Sequence, residues 1–168
     1  MKKLLLVFLI PFILGCKRIS ASDHNFKDGK VTFVSVEKTP IVKGTLNGKE
    51  AYFIIDSGAS ISVLDDNQAD DYLFTLGYSE GDISGYGGQS SPRSTSEVDI
   101  NIGGVDFSFR LGLYRSQDIQ NVVDAIKENG GIEIVGIIGS NVMKDLGIII
   151  DYSSNALYIK DYVTIQPK

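Results

Sequence analysis

Asp56 is the residue of this sequence that is best placed to carry a reactive carboxylate on a rigid turn. Asp56 follows the apolar run of residues 51–55 and precedes Ser57 and Gly58, and a second apolar run then covers residues 61–64. Burying a lone carboxylate is costly unless it is hydrogen-bonded or neutralised, so a strand that ends on a buried acid needs a compensating role. Gly58 allows a sharp turn whose N–H faces the acid. The same residues also suit an ordinary Asx turn at a strand end, and this stretch alone favours neither interpretation.

Other residue types that commonly carry chemistry are scarce. The chain of 168 residues has one Cys, one His and no Trp. His24 lies in a polar stretch typical of a solvated loop, and no Cys/His cluster could hold a metal. Cys16 is the only cysteine, so no disulfide can form within the chain. We therefore expect neither a metal nor a cofactor.

The N-terminus has the pattern of a bacterial lipoprotein leader. Lys2 and Lys3 form a positive start, and residues 4–14 form an apolar run that is too short to span a bilayer. Residues 13–16, Ile-Leu-Gly-Cys, resemble a lipobox. We expect residues 1–15 to be a signal peptide, Cys16 to be lipidated, and the protein to be anchored in the bacterial cell envelope, facing the periplasm or the exterior. An ordinary secretory signal or an uncleaved anchor is the alternative.

Charge limits the partners of the mature chain. Residues 16–30 are predicted to be a lipidated, flexible tether, and residues 31–168 a single domain. Of the 16 Lys and Arg residues, Lys2 and Lys3 lie in the leader, which leaves 14 against 21 Asp and Glu and a net charge of −7. This charge argues against a nucleic-acid partner and against electrostatic binding to anionic lipid, so the acyl chains would provide the membrane contact.

Short strands dominate the predicted elements that must position Asp56. The Asn-Gly pair at 47–48 is a strong hairpin signal, and the second strand of that hairpin ends at Asp56. The predicted elements are a strand at 31–36, a hairpin of 41–46 and 51–55, a helix over 69–76 stopped by Gly77, a glycine-dense hairpin tip at 81–91, a hairpin of 97–102 and 105–111, a helix at 116–128, a strand at 134–141 that two glycines interrupt, a short helix at 142–146, and a hairpin of 148–152 and 156–159. This order predicts an all-β fold with short helices, as a small barrel or closed sheet.

Three motifs occur in a fixed order: Asp56-Ser57-Gly58-Ala59 after an apolar strand, the glycine-rich hairpin tip, and the late Ile137-Ile138-Gly139 before a short helix. Together they resemble the retropepsin-like aspartic proteases, in particular single-domain bacterial relatives. The resemblance covers residues from about 31 to 162. It implies a closed acid-protease β-barrel and an aspartic protease domain at 31–168. The implied site residues are Asp56, Ser57 and Gly58 in the catalytic turn, Ala59 at the substrate, Gly85, Tyr86, Gly87 and Gly88 in a flap over the substrate, and Ile138 and Gly139 packed beneath the turn.

The chain departs from the viral pattern at two positions. Viral members carry an acid directly after the Asp-[Ser/Thr]-Gly-Ala motif and an arginine directly after the late glycine, and the two pair to brace the dimer. Here those positions are Ser60 and Ser140. Both partners are replaced together, so no unpaired charge remains, but bracing of the viral kind is absent.

The resemblance implies hydrolysis of peptide bonds by two carboxylates that share one proton around a water molecule. Because the chain supplies one suitable acid, we expect a homodimer with one Asp56 per chain, acting on a peptide or protein at mildly acidic pH. Asp151 also ends an apolar run, but no Gly follows it, and we interpret it as a turn or edge residue. Two alternatives remain: a catalytically idle barrel that binds an extended peptide, and a structural envelope lipoprotein.

Overall fold

The computed structural model describes most of the predicted domain. The described residues are 29–35, 39–79, 81, 83–85, 88–106 and 115–160. Cys16, His24, Tyr86 and Gly87 lie outside them, as do residues 161–168. None of the described helices combines the length and the apolar character needed to cross a membrane.

Short strands make up most of the described fold, so the prediction of a mainly β protein with short helices is confirmed. The strands are β1 Lys30–Thr32, β2 Ile41–Leu46, β3 Lys49–Ile55, β4 Val63–Asp65, β5 Leu76–Ser79, β6 Ile83–Gly85, β7 Gly88–Ser90, β8 Arg93–Thr95, β9 Ile100–Ile102, β10 Val105–Asp106, β11 Arg115–Gln117, β12 Gly136–Ile138, β13 Ile149–Asp151 and β14 Ala156–Tyr158. The helices are a 3₁₀ turn at Asp66–Gln68, α1 at Gln120–Gly130 and α2 at Ser140–Asp145.

The strands form one large sheet and two small ones. The large sheet has the order β10-β9-β2-β3-β12-β4-β11-β8-β5, the second has β1-β14-β13, and β6 pairs with β7. Strand β12 lies parallel to β3, with Ile138 opposite Ile55, although 82 residues separate them and nothing local links the two. Among the described residues this strand order is open at β10 and β5, so the closed barrel stays a prediction.

Both faces of β3 are covered, which fixes the position of its C-terminal end. Phe53 and Ile55 belong to the main core cluster, whereas Ile54 belongs to a second cluster with Ile119 and Val123 from the start of α1. Alternate side chains of a strand point to opposite faces, so the two clusters lie on opposite sides of β3. A strand buried on both sides has little freedom to shift, and the residue that follows it is held firmly.

Local turn signals predicted the hairpins correctly. Strands β2 and β3 pair from Ile41 with Ile54 to Leu46 with Lys49. Asn47 and Gly48 have φ values of 50° and 77°, which is the left-handed backbone that a tight two-residue hairpin turn needs. The predicted hairpins that contain β9 with β10 and β13 with β14 are also present, although residues 107–114 lie outside the described ones.

The predicted helix over residues 69–76 is wrong. Only the 3₁₀ turn and a further irregular turn are present, and Leu76 already begins β5. Leu73 takes a φ of 58°, which an α-helix does not allow. Long-range bonds hold this turn, because the side-chain amide of Asn47 donates to the carbonyl of Tyr72 at 2.7 Å. Gly77 stops no helix but lies in β5, where a Cβ would collide with Ser94.

Other element boundaries also differ from the prediction. The strand expected over residues 134–141 is limited to β12, because α2 already begins at Ser140. The helix expected from residue 116 begins at Gln120, because the residues before it form β11, which pairs with β4 and β8. Of its predicted apolar stripe, Val123 is buried but Val122 is exposed. The strand expected over 31–36 is reduced to β1, after which Ser35 makes a single bridge to Ile41.

Candidate active site

Asp56 lies on a tight turn directly after β3. Its backbone N–H donates to the carbonyl of Ile138 at 3.0 Å, and its own carbonyl accepts the N–H of Ala59 at 3.2 Å. The N–H of Gly58 donates to Oδ1 of Asp56 at 2.8 Å. The turn therefore fixes both the backbone and the carboxylate of Asp56, and the expected N–H of Gly58 does face the acid.

The carboxylate of Asp56 is not buried within the single chain, in contrast to the sequence-based expectation. Asp56, Ser57, Gly58 and Ser60 are all exposed, and Ala59 is partly buried. The reason is geometric: the turn projects beyond the end of β3, after the last residue that is covered on both sides. Asp56 is thus an oriented carboxylate that another molecule can reach.

Gly139 lies directly beneath this turn. A Cβ at Gly139 would stand 2.5 Å from the carbonyl oxygen of Ile61 and 2.8 Å from that of Ala59, both backbone atoms. The N–H of Ser140 donates to the carbonyl of Ala59 at 2.7 Å. Ile138 is buried and pairs with Ile55 at the end of the parallel strands. Only glycine permits this close approach of the two backbone segments.

Ser62 belongs to the same cluster, and the sequence analysis did not single it out. The side chain is 5% exposed. Its hydroxyl accepts the N–H of Gly139 at 2.8 Å and donates to Oδ1 of Asn141 at 2.8 Å. A signal was available, since Ser62 is the one polar residue of the apolar run at 61–64, and a buried hydroxyl needs partners.

The predicted flap is a β-hairpin. Strands β6 and β7 pair from Ile83 with Ser90 to Gly85 with Gly88, so those two glycines close the hairpin. Tyr86 and Gly87, which lie between them, are outside the described residues. The structure therefore gives the hairpin itself, while the contact of these four residues with a substrate stays a prediction.

Asp151 occupies an Asx turn between β13 and β14. Its carboxylate accepts bonds from the backbone and hydroxyl groups of Ser153 and Ser154. These bonds, first those of the two hydroxyls, lower the pKa of Asp151. All of its described partners belong to its own turn, which agrees with the interpretation of Asp151 as a turn residue.

Asp151→Ala is expected to lower the melting temperature near neutral pH and to leave any hydrolysis unchanged. A carboxylate with a lowered pKa stabilises the fold above its unfolded value of 3.8, and this contribution is lost as the pH falls through the folded value. The melting temperatures of wild type and variant should therefore converge in acid. Thermal unfolding across pH, combined with a peptide-cleavage assay, checks both parts. Loss of hydrolysis in a folded variant would instead make Asp151 a catalytic partner.

Unlike Asp56 and Asp151, Asp65 is a fully buried carboxylate in the described part of the chain. Asp65 caps the 3₁₀ turn, where its Oδ1 accepts the backbone N–H of Asn67 at 3.2 Å, and it has no exposed surface. Desolvation raises the pKa of Asp65. Within the described ranges, no three His, Cys, Asp or Glu side chains are grouped so that they could hold a metal ion. Asp56 is therefore the exposed, oriented acid at the end of the central parallel strands.

The chain is similar to known proteins in sequence and in fold. The profile of a family described as aspartyl protease matches residues 42–142. The retroviral protease-like domain of Ddi1 from Leishmania major is similar in structure, with 19% identity, a TM-score of 0.51, and coverage of 79% of this chain and 91% of that chain. The EIAV protease complexed with the inhibitor HBY-793 has 25% identity, a TM-score of 0.48, and coverage of 70% and 96%. A retropepsin-like aspartic protease from Rickettsia conorii has 15% identity, a TM-score of 0.45, and coverage of 77% and 86%.

The family profile carries the assignment. No curated protein matches the sequence. The profile, however, covers more than half of the chain and includes the Asp56 turn and Gly139. The Leishmania domain supports the fold. The chain therefore belongs to the aspartyl protease family, and its fold is similar to that of a retroviral protease-like domain.

Proposed function

We propose that the protein is an aspartic endopeptidase that works as a homodimer, with one Asp56 from each chain. The observation that carries the proposal is the oriented carboxylate of Asp56, which the turn presents at the surface of a single chain. Asp151, the other acid that ends an apolar run, is engaged in its own turn. A second copy of the chain is then the source of the second carboxylate.

In the proposed reaction, the two Asp56 carboxylates share one proton. The ionised carboxylate removes a proton from a bound water molecule, and the protonated one donates to the carbonyl oxygen of the scissile peptide bond. The hairpin of β6 and β7 closes over an extended peptide and excludes bulk water. The closed barrel belongs to this proposal, since it would place the hairpin over the turn.

Mixing experiments test the dimer and the enzyme together. Asp56→Asn chains, added in excess to wild type under conditions of subunit exchange, are expected to reduce activity beyond simple dilution, because each heterodimer has only one carboxylate. Specific activity is measured against the mutant fraction, above the dimer dissociation constant. A strictly linear loss would mean that each chain acts alone. Sedimentation of the protein, with binding of a pepstatin-class inhibitor, gives the oligomeric state independently.

A peptide-binding protein without activity is the second candidate. Ser60 and Ser140 replace the ion pair that braces viral dimers, and Ser140 instead bonds through its backbone to Ala59. This observation favours a monomer, in which a lone carboxylate cannot complete the dyad. A protein that sediments as a monomer at all concentrations, binds extended peptides and cleaves none would support this candidate over the protease.

We propose that a lipid anchor at Cys16 holds the domain at the bacterial cell envelope. The support is the leader pattern of the sequence, a positive start and an apolar run that ends at Cys16. Labelled fatty acid is expected to enter the wild type and to be absent from Cys16→Ser, while both proteins are expected to fold alike because Cys16 precedes the predicted domain. Equal labelling of both proteins, or of neither, would contradict the anchor.

A further inference from the structure

We propose that Ser62 is a positioning residue of the active site, whose buried hydroxyl holds the Asp56 turn against the segment that enters α2. The inference rests on the proposed protease function. Four hydrogen bonds join the two segments. Two are backbone bonds, from the N–H of Asp56 to Ile138 and from the N–H of Ser140 to Ala59. The other two are made by the Ser62 hydroxyl, to Gly139 and Asn141.

The hydroxyl of Ser62 bonds to two polar groups of the segment that enters α2, and one of these bonds, to the N–H of Gly139, is buried. Gly139 is buried, and its backbone packs so closely against the carbonyls of Ala59 and Ile61 that no Cβ fits between them. An N–H there needs an acceptor, and Oγ of Ser62 provides one. The same hydroxyl has one proton to donate, which it gives to Asn141. One hydroxyl group thus acts as both acceptor and donor, which an alanine cannot replace.

The position of this bond connects it to catalysis rather than to stability alone. Ser62 lies six residues after Asp56, at the far end of the turn, and Gly139 directly follows the residue that bonds to the Asp56 backbone. Loss of the hydroxyl removes a restraint at Ser62, where the turn ends, while β3 still holds the start of the turn at Asp56. The Asp56 carboxylate should then sample a wider range of positions. In a homodimer the same loss occurs on both sides of the dyad.

The predicted consequence is a defect in turnover rather than in substrate binding. Misplacement of a catalytic group by about 1 Å can cost on the order of a hundredfold in rate. Ser62→Ala is expected to lower kcat by roughly tenfold to a hundredfold and to leave KM within about twofold. Ser62→Thr, which keeps the hydroxyl, is expected to retain most of the activity. Val98→Ala, a core truncation outside the site, is the control for a general loss of stability.

The test combines steady-state kinetics with amide hydrogen exchange on the full chain. The kinetics compare the wild type, Ser62→Ala, Ser62→Thr and Val98→Ala. Exchange at the N–H groups of Asp56 and Ser140 should accelerate in Ser62→Ala by at least about tenfold more than in Val98→Ala, because these bonds join the same two segments. Asn141→Ala, which removes only the acceptor, serves if Ser62→Ala does not fold.

The outcomes separate this inference from the proposed function. A kcat loss in Ser62→Ala no greater than in Val98→Ala, or a Ser62→Thr variant as defective as Ser62→Ala, overturns the positioning role. Unchanged exchange at Asp56 and Ser140 overturns it as well. If the wild type cleaves no peptide, the proposed function fails, while the exchange measurement still decides whether the hydroxyl holds the turn.

Discussion

Asp56→Asn is expected to reduce peptide hydrolysis by roughly a thousandfold, while the free energy of unfolding changes by no more than about 0.5 kcal/mol. A carboxamide cannot take a proton from water at neutral or mildly acidic pH, nor can it hold the proton that the dyad shares. Its Oδ1 can still accept the N–H of Gly58, so the turn keeps its shape. Because Asp56 is exposed in the single chain, removing its charge costs no buried interaction.

The measurement is kcat/KM on a peptide that the wild type cleaves, with chemical unfolding of the same preparations. Asp145→Asn is a suitable control, because Asp145 is exposed at the end of α2 and the variant makes the same change of charge away from the turn. Full activity in Asp56→Asn would remove the protease proposal and leave the peptide-binding protein as the better interpretation.

Local turn chemistry explains why so much of the fold was predictable from the sequence. Asn47 and Gly48 adopt a left-handed backbone that few other residue pairs accept. This pair therefore predicts the hairpin whose second strand ends directly before Asp56. Apolar residues likewise predict the strands on either side of the Asn47-Gly48 turn. The resemblance to the retropepsin-like proteases, rather than local turn chemistry, implied a close approach at Gly139, and a Cβ there would meet the backbone of Ala59 and Ile61.

Tertiary contacts explain what the sequence did not predict. The apolar spacing of residues 69–76 is compatible with a helix, but bonds from Asn47 and a left-handed Leu73 hold that stretch as a turn. Gly77 looked like a helix stop and is instead a residue of β5 whose Cβ position faces the side chain of Ser94 on β8. The partners of Ser62 were not predictable for the same reason, because they lie 77 and 79 residues away in the sequence. No pattern confined to one stretch of sequence contains those distances.

Gly139→Ala is expected to destabilise the fold by about 3 kcal/mol or more, which is severe for a single methyl group. The backbone of Gly139 has φ −92° and ψ −179°, an extended conformation that alanine adopts without strain. The cost is therefore steric alone. The new Cβ would meet the carbonyl oxygens of Ile61 and Ala59 at 2.5 and 2.8 Å, and these are backbone atoms that cannot rotate away.

Gly131→Ala provides the matched control for Gly139→Ala. Gly131 has φ 67° with open space around the Cβ position. Gly131→Ala should therefore be destabilised only by the left-handed backbone conformation, by about 1 kcal/mol. Chemical unfolding should separate the two variants clearly, and thermal unfolding should place Gly139→Ala roughly 6–12 °C below wild type. Any folded Gly139→Ala protein should also lose hydrolysis, because relief of the collision pushes the Asp56 turn outward. If Gly139→Ala proved as stable as Gly131→Ala, the close contact beneath the turn would be contradicted, and with it the geometry on which the proposed site depends.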